Sequence, residues 1–367
     1  MQPRARRFDI TNSFGELMKP TILSIALDIC GASAAAFEWD PNSRKLTKLD
    51  KRIPPRDVKS AITTSPAAVA NLIGDYAREV QTSLQKQHID AIAVSAPGTI
   101  DVATGVVVKS TRLGIRDQFD CRAYLTDRYK ISATLVNDAD AAARGEVRYG
   151  VGKTVGFRPS DDLKEFGDFA YVLISEGVGC ALFINGEKYL GAGAAGHIGR
   201  MTIDPSGPFL ERFDARGLLE SYASREAISH HIALEFRREK DNSAPGASDT
   251  PQSFDRILSA ITEASHIPAC EIATAVEQGH PLAVAAINEA ARYIGIAVGS
   301  LITIMNPPTV ILGGDMVQGI PSYYTKTLEA AKRFTWSIAW NKTRVLKGEL
   351  AEPQLWGAAH LAGECQF

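Results

Sequence analysis

Two stretches, TILSIALDICGASAAAF at residues 21–37 and FAYVLISEGVGCALFI at residues 169–184, are built alike. Each is an apolar run, a turn carrying an acid and glycine, and a second run of small or apolar residues. The turns are Asp28-Ile29-Cys30-Gly31 and Ser175-Glu176-Gly177-Val178-Gly179. Apolar runs joined by such a turn predict a β-hairpin. Glycine there lets backbone N–H groups approach a ligand closely, commonly a phosphate. The repetition fits two related lobes with a nucleotide between them. On the hairpins alone it fits two ordinary hairpins of an α/β protein equally well.

Outward from the hairpins, strands alternate with helices. Pro66 to Lys86 reads as a helix capped by Ser65, with Val69, Leu72, Ile73, Tyr76 and Val80 on one face. Ile89 to Val94 is a buried strand ending in the sharp loop Ala96-Pro97-Gly98. Thr134 to Val136 is another, followed by Asn137-Asp138-Ala139-Asp140 and a helix from Ala141 to about Tyr149. Residues 151–168 form a polar connection suited to a hinge, and 239–252 a loop insertion. A long apolar helix from Pro281 to Met305 stops at Asn306-Pro307-Pro308, and a strand from Thr309 to Leu312 ends in Gly313-Gly314. This alternation indicates an α/β fold.

The 367 residues favour two domains. Forty basic residues against 42 acidic ones give a net charge of −2, which points to no nucleic acid or membrane partner. Five cysteines without a CxxC pair argue against a disulfide framework or zinc ribbon. No apolar run is expected to reach the length of a membrane span. The basic start, Met1 to Lys19, lacks the apolar core of a signal peptide, so a cytoplasmic protein is expected.

Asp138 is the first candidate for chemistry. It follows a buried strand at the mouth of a helix, where ligands of open α/β sheets bind. A carboxylate there can take the proton of an attacking hydroxyl, and Asn137 can donate and accept beside it. The plainer alternative makes Asp138 the N-cap of the helix. Three glycine turns, at Gly31, Gly177–Gly179 and Gly313–Gly314, each follow a strand and could surround one polyphosphate. The loop from Gly191 to Gly199 contains His197, and Glu220 leads a helix.

With Ala96-Pro97-Gly98 and Asp101, Val136 to Ala142, Gly191 to Pro205, and Asn306-Pro307 through Gly313-Gly314, the chain resembles the ROK family from about Pro20 to Gly363. The family takes its name from repressors, open reading frames and sugar kinases. The resemblance implies an actin-like fold of two ribonuclease-H-type lobes closing over a sugar and ATP. The expected organisation is a tail at 1–19, an N-terminal lobe at 20–150 and a C-terminal lobe at 151–367, with the last helix free to return to the first lobe. The family's catalytic Asp falls on Asp138 and its sugar-binding residues on Asn137, His197 and Glu220, with Gly98 beside them. Asp28 is implied as a magnesium residue, and Gly31, Ser33, Gly177, Gly179, Gly313 and Gly314 as the nucleotide-binding set. A homodimer is expected.

The departures are specific. The family's structural zinc is held by one His and three Cys, and those positions read Arg200, Glu211, Phe213 and Leu218. Zinc is therefore not expected. The first phosphate loop lacks a hydroxyl at Ala32, although Ser33 follows. The second carries Glu176, which would repel a triphosphate unless magnesium or a base intervenes. Two classes stay open. One is an ATP- and magnesium-dependent kinase of a sugar or sugar-like polyol, a modified hexose or C7-cyclitol, with Asp138 as general base. The other is a non-catalytic sugar sensor of repressor descent without its DNA-binding domain. Nineteen residues before the sugar domain leave no room for a recognition module, which favours the kinase.

Overall fold

The computed structural model describes residues 19–28, 31–49, 53, 55–57, 65–83, 88–242, 253–260 and 267–367. Ile29, Cys30, most of the expected tail and residues 243–252 of the expected loop lie outside them.

Among the described residues, fifteen strands form four sheets. The first holds β1 (Thr21–Leu27), β2 (Ala32–Asp40), β3 (Lys45–Lys48), β4 (Ala91–Ala96) and β8 (Ser132–Asn137) in the order β3-β2-β1-β4-β8. β2 pairs antiparallel with β1 and β3, while β1, β4 and β8 run parallel. The second holds β9 (Phe169–Ile174), β10 (Val178–Ile184), β11 (Glu187–Lys188), β14 (Thr309–Gly313) and β15 (Arg344–Lys347) in the order β11-β10-β9-β14-β15. Here β9, β14 and β15 are parallel and β10 pairs antiparallel with β11. Hairpin, then two parallel crossovers on the same side, is thus carried out twice. This is the duplicated ribonuclease-H-like topology of the actin-like fold. Two small sheets complete the set: β5 (Thr99–Asp101), β6 (Val106–Lys109) and β7 (Phe119–Asp120), and β12 (Phe209–Leu210) with β13 (Ala215–Arg216).

The chain divides into two compact units, Met1–Gly167 with Ala181–Ala195 and Glu352–Phe367, and Asp168–Cys180 with Gly196–Ala351. In the first, β1 and β4 are buried on both faces, as central parallel strands are. One face carries the helix Pro66–Ser83, whose Val69, Ile73, Tyr76 and Val80 enter the core with Leu125 and Tyr129 of the helix Cys121–Tyr129. Ser65 Oγ accepts the Ala68 N–H at 3.2 Å, and Pro66 sits at the first turn. The other face carries Asp138–Tyr149 and Pro353–Gln366. These two helices meet through glycines: a Cβ on Gly357 would lie 1.8 Å from Ala141 O, and one on Gly145 2.1 Å from Pro353 O.

In the second unit the helix Pro281–Met305 is the central core element, with Ala286, Ile287, Ala290, Ile294, Val298 and Ile302 buried. It ends at Asn306 in the left-handed region (φ 45°) before Pro307 and Pro308. This helix corrects the statement that no apolar run reaches membrane length. By length and composition it does, but 61% of its most apolar window is buried within the fold.

Candidate active site

The first unit gathers its candidates at the carboxyl ends of three adjacent parallel strands. Asp28 follows β1, Pro97 and Gly98 follow β4, and Asn137 closes β8, paired in register with Ala96. Gly98 has φ +124°, and a Cβ there would lie 2.6 Å from Lys109 O, so glycine is required. Its loop is pinned twice. Asn137 Nδ2 donates to Gly98 O at 2.9 Å, and the buried Ser110 Oγ donates to Pro97 O at 2.5 Å.

The helix begins at Asp138, not at Ala141, and its N-cap is Asn137. Asn137 Oδ1 accepts the N–H groups of Ala139 at 3.0 Å and Asp140 at 3.2 Å. The capping alternative for Asp138 is thereby corrected, because the extended residue at the end of β8 is Asn137 (φ −64°, ψ 146°). Asn137 also has less to offer a ligand than its chemistry suggested, since cap and loop tether engage both ends of its amide. Asp138 Oδ1 accepts the Ala139 N–H at 2.9 Å. Burial pushes the Asp138 carboxyl up to about 6, and the Asp28 charge adds to the rise while the Ala139 N–H and Arg112 oppose it. Gly31 closes the 28–31 turn through paired hydrogen bonds between its backbone and that of Asp28. Ser33 lies in β2 opposite Ala26.

The second unit repeats this arrangement. The turn Ser175–Gly177 follows β9, and Gly314 follows the adjacent parallel β14, where Gly313 pairs with Leu173. Gly314 has φ +103°. A Cβ there would lie 2.1 Å from Ile174 O, and one on Gly313 2.1 Å from Tyr171 Oη. Gly177 completes the turn by accepting the Ser175 N–H at 2.9 Å, and Gly179 lies in β10. Of the glycines expected to form backbone nests, Gly314 has a positive φ, whereas Gly31, Gly177, Gly179 and Gly313 do not. Close packing is what demands glycine at Gly313.

Glu176 is 2% exposed and meets a base. Arg225, the first residue of the helix Arg225–Asn242, donates Nε to Glu176 Oε2 at 2.9 Å, with Nη2 on the same oxygen. Its Nη1 reaches Asp315 Oδ2 at 2.9 Å. The sequence reading did not single out Arg225 or Asp315.

Glu220 is also buried and doubly engaged: Arg200 Nη1 donates to Oε2 at 2.9 Å and Arg212 Nη2 to Oε1 at 3.3 Å. Gly199 packs against Val178 O and Glu220 Oε2 so closely that a Cβ would lie 2.3 and 3.1 Å away. His197 is exposed, just before the short helix Ile198–Arg200.

A model of the ROK family matches residues 24–364. The chain belongs to the ROK family. A glucokinase of Halalkalibacterium halodurans is 27% identical over 230 residues, which span 62% of each chain. The xylose repressor of Bacillus subtilis is 24% identical over 310 residues, 84% of this chain and 70% of the repressor. The ROK glucokinase of Streptomyces griseus, solved with glucose and AMPPNP, superposes with a TM-score of 0.70 at 21% identity, covering 94% of this chain and 99% of that one. Kinases and repressors thus stand at similar distance. As a ROK chain it is unusual where the zinc set is expected. Arg200 lies over the Phe213 ring with Cζ 3.2 Å from the centroid, Arg212 Cζ is 5.0 Å from it, and Leu218 is buried. A guanidinium, a phenyl ring and an isobutyl group are not zinc donors, and the Glu211 carboxylate alone does not make up the three or four ligands zinc takes, so the residues here do not fit that metal.

Proposed function

We propose that this chain is an ATP-dependent kinase that phosphorylates a hydroxyl of a sugar or sugar-like polyol, with Asp138 as general base. The observation that carries it is the state of Asp138. Its capping duty falls to Asn137, and burial brings its carboxyl to about 6. A base poised near neutral pH is what proton removal from a hydroxyl needs. The acceptor-binding residues of this reading are, by the family resemblance, Gly98 and Asn137 in the first unit and His197 and Glu220 in the second. Asp28 would hold magnesium, which when bound neutralises phosphate charge. Gly31, Ser33, Gly177, Gly179, Gly313 and Gly314 would face the nucleotide.

Glu176 was the strongest residue-level reason to favour a sensor. Its ion pair with Arg225 weakens that reason. Arg200 is likewise tied to Glu220, so its charge gives no independent case for an anionic acceptor. A hexose, an N-acetylated hexosamine of the kind named in the N-acetylmannosamine kinase of Vibrio vulnificus, or a cyclitol remain the acceptor classes to test. The sensor reading keeps two supports in the first phosphate loop, Cys30 where the kinase form has glycine and the missing hydroxyl at Ala32.

The deciding experiment measures phosphate transfer from Mg-ATP to a panel of hexoses, N-acetylhexosamines and cyclitols. Transfer by the wild type, lost in Asp138→Asn, supports the kinase. Tight sugar binding without transfer by the wild type would establish the sensor instead.

A further inference from the structure

Arg225 joins two turns that no sequence motif connects. Its backbone N–H donates to Ser175 O at 2.9 Å. Its side chain holds Glu176 of the same turn and Asp315 of the next. The residue is itself fixed, because Ser224 Oγ accepts the Ala227 N–H at 3.0 Å and Ser229 Oγ donates to Arg225 O at 2.7 Å. The guanidinium is 13% exposed, Glu176 3% and Asp315 38%, measured on side chains. A planar fork can satisfy two carboxylates at once, and a lysine ammonium is a single point charge.

We propose that Arg225 is a positioning residue of the nucleotide site, neutralising Glu176 and holding the Ser175–Gly177 and Gly314–Asp315 turns in register for a polyphosphate. This rests on the reading of those turns as the nucleotide-facing set. Two carboxylates at the ends of adjacent strands would repel phosphate, and the repulsion grows where water is excluded. Arg225 cancels one charge and aims both carboxylates inward at itself. Its contribution should therefore scale with the ligand's negative charge.

The test is the affinity of full-length protein for AMPPNP and for adenosine, by calorimetry, with melting temperature measured alongside. Arg225→Met should weaken AMPPNP at least tenfold while changing adenosine less than threefold. Arg225→Lys should fall between. The pair Glu176→Gln with Arg225→Met should regain most of the AMPPNP affinity, because the buried charge leaves with its partner. Should Arg225→Met fail to fold, Arg225→Lys and that pair carry the comparison. Equal losses for both ligands, or no recovery in the folded pair, overturn the proposal. Absence of AMPPNP binding by the wild type, with the protein folded, would overturn the kinase reading on which it rests.

Discussion

The guanidinium of Arg200 lies over the ring of Phe213, with Cζ 3.2 Å from the centroid, while its Nη1 holds Glu220 Oε2 at 2.9 Å. Arg212 approaches the same ring and the same carboxylate, and pairs with Glu226 as well. Two cations, two carboxylates and one aromatic face therefore tie the 198–226 segment together at the positions where the family resemblance puts metal ligands. A partly buried cation–π contact contributes about 0.5–2 kcal/mol.

From this, Phe213→Ala should lower stability by about 1–3 kcal/mol, combining lost stacking with lost burial. Prolonged chelation should leave the melting temperature of the wild type unchanged. Thermal melts with and without chelator check both. A fall in melting temperature on chelation, reversed by zinc, would show that a metal and not this cluster holds the segment.

Asn137 does two jobs that substitutions can separate. Asn137→Ala removes the cap and should cost about 1 kcal/mol. It also releases Gly98 O, so the Michaelis constant for the best acceptor should rise. Asn137→Asp keeps a good cap but sets a carboxylate against the Gly98 carbonyl. It should melt near the wild type yet bind the acceptor at least several-fold more weakly. Wild-type acceptor affinity in Asn137→Asp would remove the Gly98 tether from the account.

The hairpins were legible because each is a local pattern: an apolar run, a turn with an acid and glycine, and a second run. Asp138 was legible for the same reason, as an acid just past a buried strand. Which of Asn137 and Asp138 caps the helix was not. Both types cap well, and only the pairing of Asn137 with Ala96 shows that β8 extends one residue beyond Val136. Arg225 was beyond reach of any local pattern. It lies 49 residues from Glu176 and 90 from Asp315, and only the tertiary fold brings them together. The one sequence clue was indirect: a buried acid in a phosphate turn requires a base.

The first unit carries a buried network whose pH response can be stated. His360 lies 2.7 Å from Tyr149 Oη and 3.3 Å from Glu364. Glu364 also holds Arg148 at 3.1 Å and, closer, Arg44. Burial pushes the His360 imidazole down to about 4; the Glu364 carboxylate opposes this, and the positive charges of Arg148 and Arg44 add to the fall. Between about 4 and 6.5 the unfolded chain therefore binds a proton that the folded chain refuses. The contribution of His360 to stability should rise with pH across that window and be lost as pH falls through it, with a limiting slope near 1.4 kcal/mol per pH unit. His360→Gln should remove this part of the slope. Denaturant melts at pH 7, 6 and 5 on both proteins check it, and identical slopes would refute the assignment.

Asp138 carries the opposite sign, and this separates its function from its cost. Its folded carboxyl titrates near 6, against 3.8 for an ordinary aspartate, chiefly because it is desolvated. Between these values the folded chain keeps a proton that the unfolded chain has lost. Its contribution therefore destabilises progressively as pH rises from about 4 to 6, and fully above. In the proposed kinase reading, the same ionisation makes it the general base. The profile of kcat/KM should accordingly show an acid limb near pH 6, since that ratio reports the free enzyme. Asp138→Asn should lose about 10²–10⁴-fold in turnover. It should also melt higher than the wild type at pH 8 and no higher at pH 4, because the charge it removes exists only at the upper pH. Turnover profiles and paired melts at the two pH values test both halves. A variant that loses turnover but melts like the wild type at pH 8 would show that Asp138 is not desolvated, and its poise as a base would need another cause.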